Sequence, residues 1–86
     1  MIFLAKEAEH VLGSLANGTQ KELWERVNDI LDAIEDDPGD RKVRRRRFDR
    51  PPLWAVPVSG SGERYMVLWN ETSEHILIQY IGPAIF

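Results

Sequence analysis

The chain has 86 residues, no cysteine and a formal net charge of −3, and 43% of its residues are hydrophobic. This length predicts one small domain over residues 1–86, with a thin core. No apolar run is long enough to span a membrane, and the N-terminus lacks the basic start and longer apolar stretch of a signal peptide. Without cysteine, a disulfide framework and thiolate chemistry are excluded, and we expect a cytoplasmic protein without a cofactor.

Charge is distributed unevenly along the chain. Residues 1–40 carry a net charge of −7, residues 41–50 carry +6 and residues 51–86 carry −2. An asymmetry of this kind indicates an anionic partner, an internal pairing of the two opposed blocks, or both.

Two amphipathic helices are predicted in the acidic block. Apolar residues recur at i, i+3, i+4 and i+7 from Ala8 to Leu15, which predicts a helix over residues 6–16. A second helix is predicted from Thr19, where Glu22 has the capping-box spacing, to the segment 36–38, because proline disfavours a helical predecessor. Since only two residues separate these helices, they should form an antiparallel hairpin.

After residue 40 the apolar pattern changes from a period of 3.6 to a period of two. Strands are predicted over residues 43–48, 53–58, 65–69 and 76–81, joined by short turns without intervening helices. Pro57 places the second of these strands at an edge or a bulge. The pattern predicts an α+β fold, in which the N-terminal helical hairpin packs on one face of a small, mainly antiparallel sheet.

The basic segment, residues 41–50, is the strongest functional signal. On a strand its arginines alternate in direction, with 45 and 47 on one face and 44 and 46 on the other. Guanidinium groups side by side are costly unless phosphates or carboxylates meet them, which indicates RNA, DNA or an acidic protein segment. The alternative is a solvated or internally paired edge that opposes aggregation. The candidate binding residues are Arg41, Lys42, Arg44, Arg45, Arg46, Arg47 and Arg50.

The aromatic residues of the predicted strands have two interpretations. Interleaved with basic residues, they could form a stacking surface for single-stranded nucleic acid. Trp54 and Trp69 are flanked by aliphatic residues, and the core is the better explanation for both. In a strictly alternating strand Tyr80 lies on the same face as Ile76 and Ile78, and we expect it to be half-buried with its hydroxyl at a surface.

Other polar residues give no sign of a metal site or a nucleophile. His10 and His75 lie far apart in a chain without cysteine, so both are predicted to be surface residues. No serine has a nearby base that would activate it. Four acids opposite the apolar stripe of the second helix form an ordinary solvated face: Asp29, Asp32, Glu35 and Asp36. The residues alone therefore predict a small α+β domain whose basic strand binds something anionic.

The order of elements and several local strings resemble the RelE/ParE superfamily, the toxins of bacterial type II toxin–antitoxin pairs. The resemblance covers nearly the whole chain, from a first strand at residues 2–6 through the helical hairpin and the basic strand to the last strand. The strings that carry it run from Pro52 to Val56, from Gly62 to Trp69 and from Ile76 to Gly82.

This resemblance implies a toxin that a cognate antitoxin protein neutralises. In the ribonuclease branch, basic residues on the sheet are thought to position mRNA in the ribosome and to stabilise the developing phosphorane charge, while an aromatic or acidic residue assists proton transfer. The resemblance thus implies a ribosome-dependent mRNA endonuclease. Its catalytic candidates in this chain are Arg45, Arg47, Arg64 and Tyr80.

Two alternatives stay open, because this chain lacks basic residues at positions where the family usually has them, which are Ala55, Pro57, Met66 and Pro83. One is a non-catalytic toxin that inhibits DNA gyrase, and the other is an inert relative whose role is to bind a partner. An acidic segment of the antitoxin would suit the basic segment, and neutralising it would also block RNA binding.

Overall fold

A computed structural model describes residues 2–18, 20–44, 46–49, 52–60 and 63–84. These residues form β1 (Ile2–Leu4), α1 (Lys6–Asn17), α2 (Lys21–Asp36), a 3₁₀ helix (Arg41–Val43), β2 (Arg46–Asp49), β3 (Pro52–Gly60), β4 (Glu63–Glu71) and β5 (Ile76–Pro83). The strands make one sheet in the order β1-β5-β4-β3-β2. Strand β1 is parallel to β5, and the other neighbouring strands are antiparallel. The predicted α+β fold with a mainly antiparallel sheet is confirmed.

The helices follow the apolar pattern that predicted them. The apolar stripe of α2 is buried at Leu23, Val27, Leu31 and Ile34, and the acids opposite it are exposed. The predicted first residue of this helix, Thr19, lies outside the described residues. Neither of the described helices is both long and apolar enough to cross a membrane.

The main core lies between the helical hairpin and one face of the sheet. Val56, Val67 and Ile81 face each other across three neighbouring strands, and all three are buried against α1 and α2. Trp69 lies in the same cluster and is fully buried. The helices therefore cover one sheet face, as the pattern predicts. The opposite face is called the open face below because the helices do not pack on it, although Leu53, Ala55 and Met66 are buried there.

Strand β5 contains an irregularity that changes which residues reach the core. Leu68 pairs with Tyr80 while its neighbour Trp69 pairs with Ile78, so Gln79 is the extra residue of a bulge. As a result Ile81 is buried in the core, and Tyr80 lies on the open face in register with Leu68. The prediction that Tyr80 shares a face with Ile78 is wrong, because strict alternation assumes an unbroken strand.

Pro57 lies where β3 has a free edge. It pairs with Met66 of β4, whereas the described pairing between β3 and β2 ends at Ala55. The missing N–H of the proline therefore costs no bond to β2. The prediction that Pro57 places its strand at an edge is wrong for β3 as a whole, which lies between β4 and β2; only the part of β3 after Ala55 extends past the described pairing with β2.

Candidate anion-binding site

The basic segment begins in the 3₁₀ helix, which is fastened at both ends. The Asp40 carboxylate accepts a hydrogen bond from the backbone N–H of Lys42 at 2.9 Å and caps its start. At its other end the buried Val43 carbonyl accepts a hydrogen bond from Trp69 Nε1 at 2.8 Å. These bonds hold the exposed Arg41 and Lys42 beside the sheet rather than on a loose connection.

Arg44 follows the 3₁₀ helix and has partners within the protein. Its Nε donates to the Pro38 carbonyl, and its Nη2 donates to Glu71 Oε1 at 3.3 Å. Its guanidinium carbon lies 4.9 Å from the ring centroid of Trp54 and 5.4 Å from that of Trp69. Arg44 thus links the segment after α2 to the end of β4, and its ion-pair partner Glu71 lies outside the acidic block of residues 1–40.

Arg47 brings a second guanidinium to the same indole ring. It lies on β2 directly opposite Trp54 on β3, and its guanidinium carbon is 5.1 Å from the Trp54 ring centroid. The predicted alternation placed Arg44 and Arg47 on opposite faces, and this is wrong. Strand β2 begins at Arg46, so the direction of Arg44 follows from the 3₁₀ helix and not from a strand.

These side chains line a cleft of about 290 Å³. Its walls are formed by Arg44, Arg47, Trp54, Asn70 and Glu71. Two guanidinium groups held against one aromatic ring present several N–H donors in a fixed arrangement, which suits a carboxylate or a phosphate oxygen. We call Arg41, Lys42, Arg44 and Arg47 the basic corner.

The three catalytic candidates that the structure describes are not brought together at one place. Arg47 is in register with Trp54 and Trp69, which are on the helix-covered face, whereas Tyr80 is on the open face. Arg64 lies five residues before Trp69 along β4, or about 17 Å at the usual rise of a strand. Arg45 and Arg50 lie outside the described residues, as does the side chain of Arg46.

Tyr80 nevertheless shares the open face with Arg64. Its ring lies over Gly82 of the same strand. A Cβ atom at position 82 would come within 2.5 Å of the Tyr80 hydroxyl oxygen. The hydroxyl donates to the Pro83 carbonyl at 3.3 Å, in an exposed position. The expected half-buried ring with a surface hydroxyl is confirmed, and Gly82 is needed because any side chain there would collide with the ring.

The two tryptophans of the strands have different surroundings. Trp69 is fully buried, which confirms its assignment to the core. Trp54 is half-buried and packs against the core, while the guanidinium groups of Arg44 and Arg47 lie over its ring. Trp54 is therefore both a core residue and the floor of the site.

The histidines play no part in this cleft. His10 is exposed on α1, and His75 packs edge-on against Phe3 with 4.8 Å between the ring centroids. Among the residues that the structure describes, no group of three His, Cys, Asp or Glu side chains has a metal-binding arrangement.

Sequence reasoning missed Asn70 and Glu71. Both were assigned to a turn after the third predicted strand, but β4 continues to Glu71. A lone carboxylate 27 residues after Arg44 has no local signal that would mark it as a partner. Only the pairing of β3 with β4 brings it to the basic corner.

Comparisons with protein families, with curated proteins and with solved structures found no match to this chain.

Proposed function

We propose that this chain is a RelE/ParE-like toxin of the bacterial cytoplasm that acts by binding, and that a cognate antitoxin neutralises it. The proposal is supported by the order of its elements, which is a short strand, a helical hairpin and then an antiparallel sheet beginning with a basic segment. It is also supported by the motif strings of β3, β4 and β5, which resemble that family.

The observation that carries the proposal is the basic corner. Arg41, Lys42 and Arg47 are exposed, and the cleft beside them has two guanidinium groups on the Trp54 ring. Such an arrangement recognises an anion by charge-assisted hydrogen bonds. Guanidinium groups already cover the Trp54 ring, so base stacking on it is disfavoured, and an acidic protein segment is the preferred occupant.

Expression of the chain alone in bacteria tests this proposal, with growth, mRNA 5′ ends and gyrase activity measured together. We expect growth to stop without new 5′ ends in ribosome-bound mRNA, because the described catalytic candidates are divided between the two faces of the sheet. Inhibition of gyrase would identify gyrase as the target and would agree with a toxin that acts by binding. Normal growth would contradict a toxin and leave the inert partner-binding relative.

The second candidate function is the ribosome-dependent mRNA endonuclease. It is favoured by the presence of Arg64 and the Tyr80 hydroxyl on the same open face, where a cation and a proton donor could act on one phosphate. New mRNA 5′ ends that disappear in the Tyr80→Phe and Arg64→Gln variants would establish it. Tyr65→Phe is the matched control, since Tyr65 lies on the helix-covered face and packs against the core.

A further inference from the structure

Glu71 stands at the mouth of the cleft and touches one of its two cations. Its Oε1 accepts a hydrogen bond from Arg44 Nη2 at 3.3 Å. Both groups remain partly open to solvent, with side-chain exposures of 28% for Arg44 and 44% for Glu71. A single contact of this length between partly exposed groups is weak, so the carboxylate can leave Arg44 without loss of the fold.

The position of Glu71 is the position that a ligand of this cleft would need. Arg44 is held from behind by the Pro38 carbonyl and rests on Trp54 and Trp69, so its guanidinium is oriented whether or not Glu71 is bound. Its Nε is bonded to Pro38, so an incoming carboxylate that takes the Nη2 donor must displace Glu71 from it. An incoming anion therefore competes with Glu71.

We propose that the Glu71 carboxylate is an internal stand-in for a carboxylate of the acidic partner segment, which must displace it from Arg44 in order to bind. This inference rests on the proposed function and adds the regulation of the same site. Glu71 lowers the affinity for weak or accidental anions, because each of them must displace it and meets its negative charge. A partner with several carboxylates overcomes this barrier, since it also engages the exposed Arg47.

A carboxylate, rather than the phosphates of an RNA, is the group that the site favours. The cleft already accommodates one carboxylate, that of Glu71, on Arg44. The ring of Trp54, which would stack a base, faces the guanidinium groups of Arg44 and Arg47.

The test is a titration of the full chain with a hexaglutamate peptide at low ionic strength, followed by the NMR signal of the Trp54 indole N–H. The wild type is compared with Glu71→Gln and with Glu74→Gln. Each substitution removes one negative charge, and Glu74 is exposed three residues further along the chain. Glutamine at position 71 keeps an oxygen that can accept from Arg44, so the fold is retained and can be checked in the same spectra.

We expect Glu71→Gln to bind the peptide roughly two- to fivefold more tightly than the wild type, because a competing exposed ion pair is lost. Glu74→Gln should bind as the wild type does. Equal affinities for wild type and Glu71→Gln would overturn the inference while leaving the proposed function standing. Absence of peptide binding by both proteins would overturn the proposed function as well. If a uridine hexanucleotide bound more tightly than the peptide, the site would prefer phosphate to carboxylate, and the inference would be refuted.

Discussion

The hydrogen bond from Trp69 to Val43 is the contact that most directly joins the basic segment to the sheet. The two residues are 26 positions apart, the bond is 2.8 Å long, and Trp69 is fully buried. In Trp69→Phe the ring stays aromatic, but the indole N–H is lost. The Val43 carbonyl then loses this partner in a place that water does not reach.

The expected cost combines two effects. A buried carbonyl without a partner costs about 1–3 kcal/mol. The smaller ring also leaves a void on the order of 40 Å³, which adds about 1 kcal/mol at the usual cavity coefficient. We therefore expect Trp69→Phe to lower the free energy of unfolding by about 2–4 kcal/mol, a large share of the stability of a domain this small.

Urea unfolding followed by circular dichroism measures this loss. Trp24→Phe is the matched control, because Trp24 is only half-buried on α2 and its described hydrogen bonds use backbone atoms alone. The control should lose less than about 1.5 kcal/mol, in line with a partly exposed truncation. If Trp69→Phe unfolded within about 0.5 kcal/mol of the wild type, the bond to Val43 would not hold the basic segment, and the reasoning would be refuted.

Two further substitutions test the geometry of the site and of the open face. Arg44→Lys keeps the positive charge, but an ammonium group cannot replace the planar guanidinium that bonds both Pro38 and Glu71. The urea midpoint should therefore fall by the equivalent of about 1–2 kcal/mol. An unchanged midpoint would show that only the charge of Arg44 matters. Gly82→Ala should cost about 1–2 kcal/mol, because its Cβ meets the Tyr80 ring. The same substitution in a Tyr80→Ala background should cost less than about 0.5 kcal/mol, and an equal cost in both backgrounds would rule out the collision.

Much of the fold could be predicted because the apolar periods are regular. The stripe of α2 from Leu23 to Ile34 repeats at the helical period and is buried as expected. The apolar runs that hold Val56 and Val67 correctly predict two strands, although residues on both faces of these strands are buried, among them Ala55 and Met66. Local pattern and tertiary packing agree at these positions, so one sequence is sufficient to predict them.

The site could be predicted only in part, because its decisive contacts join distant residues. The basic segment was evident, but its partner Glu71 depends on the extent of β4 and on strand pairing. The direction of the Arg44 side chain depends on a three-residue 3₁₀ helix, which is too short to produce a recognisable apolar period in the sequence. A single extra residue, Gln79, moved Tyr80 to the open face and separated it from Arg47. A bulge of this kind leaves no trace in an apolar pattern.

The most direct test of the basic corner as a binding surface is the affinity for hexaglutamate of Arg47→Gln against Arg26→Gln, measured by isothermal titration calorimetry at low ionic strength. Both substitutions remove one positive charge, but Arg26 lies on α2 in an exposed pair with Glu22 and outside the cleft. We expect Arg47→Gln to weaken binding about five- to tenfold, since a hydrogen bond between charged groups is lost. Arg26→Gln should bind like the wild type. Equal affinities for the two variants would contradict binding at the basic corner.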